Sequence, residues 1–340
     1  MVSATHISLK VPERSFVAGA KKEIHRLAVQ SGFGQKKIDE IDILVSELGT
    51  NLVKHAREGE ILAGIVSDRQ GMGLELIGID NGPGISDPER MMQDGISTAG
   101  TLGHGLGAIR RLSDHFEIYS LKEWGTILLS RVYLDKGVEE SKPRQLLTVR
   151  SLVVAKPGEM VSGDGFDGYR ATDGTFRLLA ADGLGHGIEA NRAVREAVAA
   201  FREYESDSPV AILRHLHESI RKTRGMVAAV VIIDPVRKIW KFCGIGNIST
   251  RFTGVHQARS YLSYNGIVGH NIPGSLYDQE VSQQDYQQIT LCSDGIRSRW
   301  QQNRLPDIGR QDLIVQAAAL YKDFARGNDD MSIIIGKLPA

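Results

Sequence analysis

Four acidic positions stand where apolar, strand-length runs stop or start. Asp182 closes the run Leu178–Ala181 in LLAADGLGHG, and Gly183, Gly185 and Gly187 then let the backbone turn sharply into a helix. Asp164 lies in VSGDGFDGY, Asp294 follows the run Ile289–Cys292 in ITLCSDGI, and Asp329 and Asp330 precede MSIIIGKL. One Asp-Gly pair is an ordinary turn. Carboxylates at the ends of separate strands are a different matter, because a hard divalent cation needs oxygen ligands converging from several directions. Together they argue for a metal site. Gly163 and Asp167, beside Asp164, read as loop formers rather than ligands.

A second set lies in the first third of the chain. Glu47 and Asn51 are four residues apart in a stretch where Ile38, Ile41, Val45, Leu48 and Leu52 recur every three or four positions. A helix with that buried stripe places both polar groups one above the other on a neighbouring face. Alone they would be a solvated pair. The strand-like runs Ile61–Ser67 and Gly73–Ile79 lead into IDNGPGISD, and GISTAGTLGHGLGAIRRLSD then sets Gly100, Gly103, Gly105 and Gly107 just before a helix carrying Leu106, Ile109 and Leu112. Glycines let backbone amides close on phosphates, and a helix start favours the anion. A Glu-x-x-x-Asn helix, an Asp-x-Gly-x-Gly turn and a glycine-rich stretch, in that order, predict a nucleotide site.

The acidic set resembles the metal-dependent protein serine/threonine phosphatases (PPM), in their SpoIIE and RsbX-like branch. RGMVAAVVIID, KFCGIGNISTRF and YNGIVGHNIP extend the resemblance over nearly all of the chain after about residue 146. The resemblance implies two Mn²⁺ or Mg²⁺ ions and a bridging water that attacks phosphoserine or phosphothreonine. It implies Asp164, Asp182, Asp294 and Asp329 as carboxylate ligands and the Gly183 carbonyl as a further one, with Asp330 the less favoured of its pair. Metal coordination lowers the pKa of bound water from ~15.7 toward neutrality, so no cysteine nucleophile is needed. Many eukaryotic members of the family it resembles have histidine where this chain has Leu184, which leaves the leaving-group acid unassigned. His186, two residues on, reads as a helix N-terminus rather than the leaving-group acid.

The first-third set resembles the GHKL ATP-binding fold, in the anti-sigma-factor type of serine/threonine kinase and most closely its RsbT-like stressosome branch, over residues 1 to about 135. The resemblance implies Asn51 as Mg²⁺ ligand, Glu47 as base, and Asp80 as reader of the adenine amino group. Gly82 and Gly84 would flank the base, and Gly103, Gly105 and Gly107 would form a lid over the ATP phosphates. No phospho-accepting histidine helix precedes this stretch, which argues against a sensor histidine kinase.

Around these sets the patterning predicts two mixed α/β (α+β) domains. A strand at Ile7–Val11 and a helix burying Phe16, Ala20, Ile24 and Leu27 come first, then the long helix Gln35–Ala56. Asp135–Gln145, DKGVEESKPRQ, has charge, glycine and proline without apolar periodicity and reads as a linker. The expected division is therefore 1–135, an ATPase α/β sandwich; 136–145, linker; and 146–340, an α/β/β/α sandwich with helices near Glu189–Glu205, Pro209–Thr223 and Asp312–Ala325. Lys plus Arg equals Asp plus Glu at 41 each, so no electrostatic pull toward nucleic acid or anionic membrane is implied. The two cysteines, Cys243 and Cys292, lie in apolar runs and read as buried thiols. The N-terminus lacks the apolar core of a signal peptide, and the expected location is cytoplasmic.

The two halves imply opposite reactions on one kind of side chain: an ATP-dependent serine/threonine kinase and a metal-dependent phosphatase. The resemblances point to STAS-domain proteins, of stressosome or anti-anti-sigma kind, as substrates in a partner-switching sigma-factor pathway, with a homodimer open. One alternative makes the first domain a non-catalytic ATP sensor or partner-binding module. Another makes it a sigma-sequestering anti-sigma factor.

Overall fold

Two helices and an antiparallel sheet build the frame around Glu47 and Asn51. In the computed structural model, which describes residues 5–55, 58–88, 105–135, 147–159, 161–300 and 305–339, the expected long helix is α2 (Gln35–His55). It follows β1 (Thr5–Lys10) and α1 (Arg14–Gln30). Ile38, Ile41, Val45, Leu48 and Leu52 are all buried, as their spacing requires. In α1 the buried row is Ala20, Ile24 and Ala28, with Leu27 partly buried. Phe16 is a correction: it is 49% exposed. Its neighbour Val17 faces α2 instead, so close that a Cβ on Gly49 would stand 2.8 Å from Val17 Cγ1.

The sheet under these helices continues with β2 (Gly59–Asp68), β3 (Gly71–Asp80), β4 (His115–Leu121) and β5 (Gly125–Tyr133), in the order β1-β2-β3-β5-β4, all antiparallel. A short helix, α3 (Gly105–Leu112), precedes β4. Alternation along β3 sends Leu74 and Leu76 into the core with α1 and α2 and puts Glu75 on the opposite face.

That opposite face carries charge. Glu75 accepts from His6 Nε2 at 3.0 Å and from Arg131 Nε at 2.5 Å, and all three side chains are essentially excluded from water. Arg131 also donates to both Asp312 oxygens, at 2.9 and 3.3 Å, while the Asp312 amide donates to Glu117 at 2.9 Å. His115 Nε2 stands 3.5 Å from Asp312 Oδ2, an ion-pair separation rather than an aligned hydrogen bond. Tyr119 donates to the Pro306 carbonyl, and Tyr321 to Glu60. The contacts accordingly divide the chain into His6–Lys142 with Leu305–Lys322, the first unit, and Pro143–Arg304 with Asp323–Ala340, which with the residues before His6 makes the second. A late stretch of sequence, including most of α6 (Leu313–Phe324), thus packs with the first.

The second unit is a sandwich. One sheet runs β7 (Asp164–Arg170), β8 (Phe176–Gly183), β9 (Met226–Asp234), β10 (Ile239–Ile245) and β13 (Gln279–Ser282). The other runs β6 (Thr148–Val154), β15 (Met331–Lys337), β14 (Gln288–Cys292), β11 (Ser249–Thr253) and β12 (Ala258–Tyr261). Leu178 and Ala180 of β8 point between the sheets with Phe242, Phe252, Leu291 and Ile334. Leu179 and Ala181 point outward to α4 (Gly187–Glu203) and α5 (Pro209–Ser219), meeting Val194, Phe201 and Leu213. The α5 start is capped by Ser208 Oγ, which accepts from Ala211 N at 3.2 Å, with Pro209 at the first helical position. Cys243 and Cys292 are buried free thiols, and burial pushes both up, Cys243 to about 12.

Candidate functional site

Antiparallel register brings the first two acidic positions together. Asp164 opens β7, Asp182 stands next to last in β8, and the two are directly opposed across the ladder. The second sheet contributes the others at the ends of neighbouring strands: Asp294 just beyond β14, Asp329 just before β15. There Ser293 N donates to the Ser332 carbonyl, and a Cβ on Gly295 would stand 2.0 Å from the Asp330 carbonyl oxygen, so glycine alone fits the crossing.

The charges act on one another. Asp164 is raised well above the usual carboxylate range, first by burial and then by Asp330 and Asp294, against relief from the nearby Ser293 and Ser332 hydroxyls. By geometry neither of its oxygens receives a hydrogen bond. Asp182 is also raised, by burial and then by Asp164, Asp294, Asp329 and Asp330; Asp294 is raised by burial and by Asp329. A buried carboxylate with both oxygens orphaned, set among carboxylates that repel it, fits divalent cations. The carboxylates do not crowd onto one point: among the described residues, the trio of acidic or histidine groups with ligand atoms within 4.8 Å of one another is His115, Glu117 and Asp312. In that trio Arg131 already holds both Asp312 oxygens.

Neighbouring residues have other work. Asp330 accepts from Lys156 N at 2.8 Å and Gly163 N at 2.9 Å and so ties the approach to β7 in place. Asp167, expected as a loop former, lies inside β7, fully buried, paired with Arg202 at 2.6 and 2.8 Å. Gly183 packs so tightly that a Cβ would stand 2.5 Å from the Ala190 carbonyl oxygen. His186 precedes α4, but its side chain makes no cap bond; Nδ1 lies 2.6 Å from Glu159 Oε1. Sequence reasoning missed Glu159, because nothing local marks it. It also missed Arg224, whose Nη1 would stand 3.2 Å from a Cβ on Gly185, while Leu184 N donates to the adjoining Gly225 carbonyl.

The nucleotide residues also meet. A Cβ on Gly105 would stand 3.0 Å from Glu47 Oε2 and 3.2 Å from Asn51 Oδ1, so the start of α3 lies against both side chains of α2. Asp80 ends β3, accepts from Gly82 N at 2.7 Å, and is raised by burial. Gly82 and Gly84 form a turn without room for side chains: a Cβ would stand 2.4 Å from the His55 oxygen at one and 2.0 Å from the Leu121 oxygen at the other, where φ is +77°. Gly107 is buried in α3. Gly100 and Gly103 lie outside the described residues.

Each unit therefore presents its own candidate site: Glu47, Asn51, Asp80 and their glycines in one, a cluster of strand-end carboxylates in the other. Residues 12–131 match the histidine kinase-like ATPase domain family, and residues 172–338 match the stage II sporulation protein E family. The serine/threonine-protein kinase RsbT of Bacillus subtilis (strain 168) is 38% identical over 110 residues, 32% of this chain and 83% of that protein. The chain belongs to that kinase's family through its first third. The phosphoserine phosphatase RsbX of the same organism is 27% identical over 111 residues, 33% of this chain and 54% of that protein, so the chain spans about half the length of this relative. A chain from a structure of the bacterial stressosome, described there as a modular system adapted to control secondary messenger signalling, has 28% identity and a TM-score of 0.52, covering 57% of this chain and all of itself. RsbX in complex with magnesium has 19% identity and a TM-score of 0.51, over 58% of this chain and 98% of that one, which shows the shared fold. The chain thus joins an RsbT-type kinase domain to a domain similar to the phosphoserine phosphatase RsbX and matched by the stage II sporulation protein E family. Among the described residues, no helix is long and apolar enough to cross a membrane.

Proposed function

We propose that the chain phosphorylates and dephosphorylates serine or threonine on STAS-domain proteins of a stressosome or anti-anti-sigma system, and so sets a sigma-factor switch from both directions. A phosphoryl group adds roughly two negative charges to an interface, enough to make or break a partner contact.

In the second domain Asp164, Asp182, Asp294 and Asp329, with the Gly183 carbonyl, would hold Mn²⁺ or Mg²⁺. Bound there, such ions supply hydroxide near neutral pH and neutralise phosphoryl charge. Arg224 is the cation beside the Asp182–Gly187 turn whose side chain has no hydrogen bond or ion pair among the described residues, and it suits the phosphoryl oxygens. Glu159 orients the His186 ring at the same turn. In the first domain Asn51 would hold Mg²⁺ on ATP, Asp80 would accept from the adenine amino group, and Glu47 would take the proton of the attacking hydroxyl. Glu47 beside Gly105 supports turnover over mere sensing, because a nucleotide sensor needs no base at the phosphates.

The observation that carries the reading is Asp164, buried with both oxygens orphaned and directly opposed across the ladder to Asp182 at the strand end. The test is label transfer from ATP to a STAS protein, and phosphate release from that product, by wild type, Glu47→Ala and Asp182→Ala. Each substitution should remove one activity and spare the other. Label transfer by Glu47→Ala at the wild-type rate would sink the kinase assignment, and undiminished phosphate release by Asp182→Ala the phosphatase one.

A further inference from the structure

Asp80 sits between two pieces of backbone that must keep their places. One is the turn Asn81–Ile85; the other is the tip of the β4–β5 hairpin, with Trp124 and Gly125. They are stitched together by Glu123 N to the Pro83 carbonyl at 2.9 Å and Ile85 N to Ser120 Oγ at 2.8 Å. A Cβ on Gly125 would stand 2.1 Å from the Asp80 carbonyl oxygen, so the hairpin tip lies directly on the strand end.

One side chain touches both pieces, and it comes from the far end of the sequence. Lys322 Nζ donates to Asn81 Oδ1 at 2.6 Å and lies 4.3 Å from the centroid of the Trp124 ring. A lone lysine on a surface amide would mean little. Here the ammonium is held on two sides, by a charge-assisted hydrogen bond and an aromatic face. Its own position is fixed by its helix, since the preceding residue, Tyr321, donates to buried Glu60 at 2.9 Å and Asp312 is clamped on Arg131. Lys322 is also the cation that favours the ionised form of Asp80, against the burial that raises it. An ionised aspartate is the stronger acceptor for an amino group.

We propose that Lys322 is a positioning residue of the nucleotide site, so that the segment Leu305–Lys322 completes the adenine side of a pocket otherwise built from the first third of the chain. The proposal rests on reading Asp80 as the adenine acceptor. It predicts that nucleotide affinity depends on a residue near the end of the phosphatase sequence, outside the stretch 12–131 matched by the ATPase family.

The experiment measures Mg·ADP and Mg·ATP affinity calorimetrically on the full chain as wild type, Lys322→Gln, Lys322→Arg and Asp80→Asn, with hydrogen exchange of β2 and β3 as a check on packing. Lys322→Gln should weaken both nucleotides about five- to tenfold, the worth of one charge-assisted contact with its aromatic partner, and Lys322→Arg should restore them to within about twofold. Asp80→Asn should lose far more. Wild-type affinity in Lys322→Gln, with affinity lost in Asp80→Asn, would overturn the role of Lys322 and leave the nucleotide reading standing. Wild-type affinity in Asp80→Asn would instead remove the reading on which it rests. Equal losses in Lys322→Arg and Lys322→Gln, or faster exchange in β2 and β3, would also overturn it, the first by excluding charge and the second by showing a purely structural effect.

Discussion

Asp312→Ala tests whether the late segment is a working part of the first unit. Arg131 is 2% exposed, and Asp312 supplies the contacts at two of its three guanidinium nitrogens, at 2.9 and 3.3 Å. Removing one partner of a buried pair typically costs 3–5 kcal/mol. Glu75 still holds Nε at 2.5 Å, so the guanidinium is not orphaned and the lower end applies, about 3 kcal/mol. At ~1.4 kcal/mol per tenfold, local opening of β3 and β5 should become about 10²-fold more frequent, readable as faster amide exchange in peptides covering Leu74–Ile79 and Ile127–Val132. Acid should reveal the same link. Burial alone would raise both carboxylates, but His6 and Arg131 hold Glu75 below its ordinary range, and the His115 ring and Arg131 hold Asp312 well below. A depressed carboxylate stabilises the fold above its unfolded pKa of about 4, and that contribution is lost as pH falls through and below it. Asp312→Asn should therefore flatten the acid limb of first-unit stability. Unchanged exchange in β3 and β5 of Asp312→Ala would refute the account of how this segment is held.

Asp182→Asn should cut phosphoserine hydrolysis by more than about 100-fold, beyond the loss usual for a group that supports a ligand indirectly, while ATP affinity measured by calorimetry stays put. Asn51→Ala should weaken Mg·ATP binding and leave phosphatase turnover intact; a parallel fall in both would contradict separate centres. Arg224→Ala should raise KM for a phosphoserine peptide about tenfold, as expected for one lost charge-assisted contact, and an unchanged KM would remove it from phosphoryl binding. Cys243 and Cys292, buried with thiols pushed up, should resist iodoacetamide at pH 8 until the second unit unfolds, which intact mass under rising urea would show.

Both candidate sites are legible in the sequence because their residues sit on regular elements. Glu47 and Asn51 share a helix face by spacing alone, and strand ends announce themselves where apolar runs stop at Asp182 or follow Asp330. Two errors have local causes. Phe16 follows the helical period as well as Val17 does, and only the approach of α2 at Gly49 decides which one is buried. Asp167 sits among glycines in GDGFDGY and looks like turn chemistry, whereas Arg202, thirty-five residues on, lets it stay inside a strand. Leu313–Tyr321 is apolar enough to announce a buried helix, but a composition of Leu, Ile, Val and Ala does not say against what. The run Gly73–Ile79 reads as a strand, but nothing in it says what covers the face bearing Glu75. His6, Arg131 and Asp312, which make that face dry, are distant in sequence and carry no shared pattern.

The return of Leu305–Lys322 to the first unit means that no single scission yields two whole proteins. A fragment stopping at Lys142 would lack Asp312, the second of the two carboxylates on Arg131, and the lysine beside Asn81. A fragment starting at Pro143 would carry nine successive residues, Leu313–Tyr321, that are buried in the intact chain, deprived of whatever cover the first unit gives them and inclined to aggregate. Whatever evolutionary joining brought a kinase and a phosphatase into one polypeptide, its product has become harder to undo than a fusion through a linker.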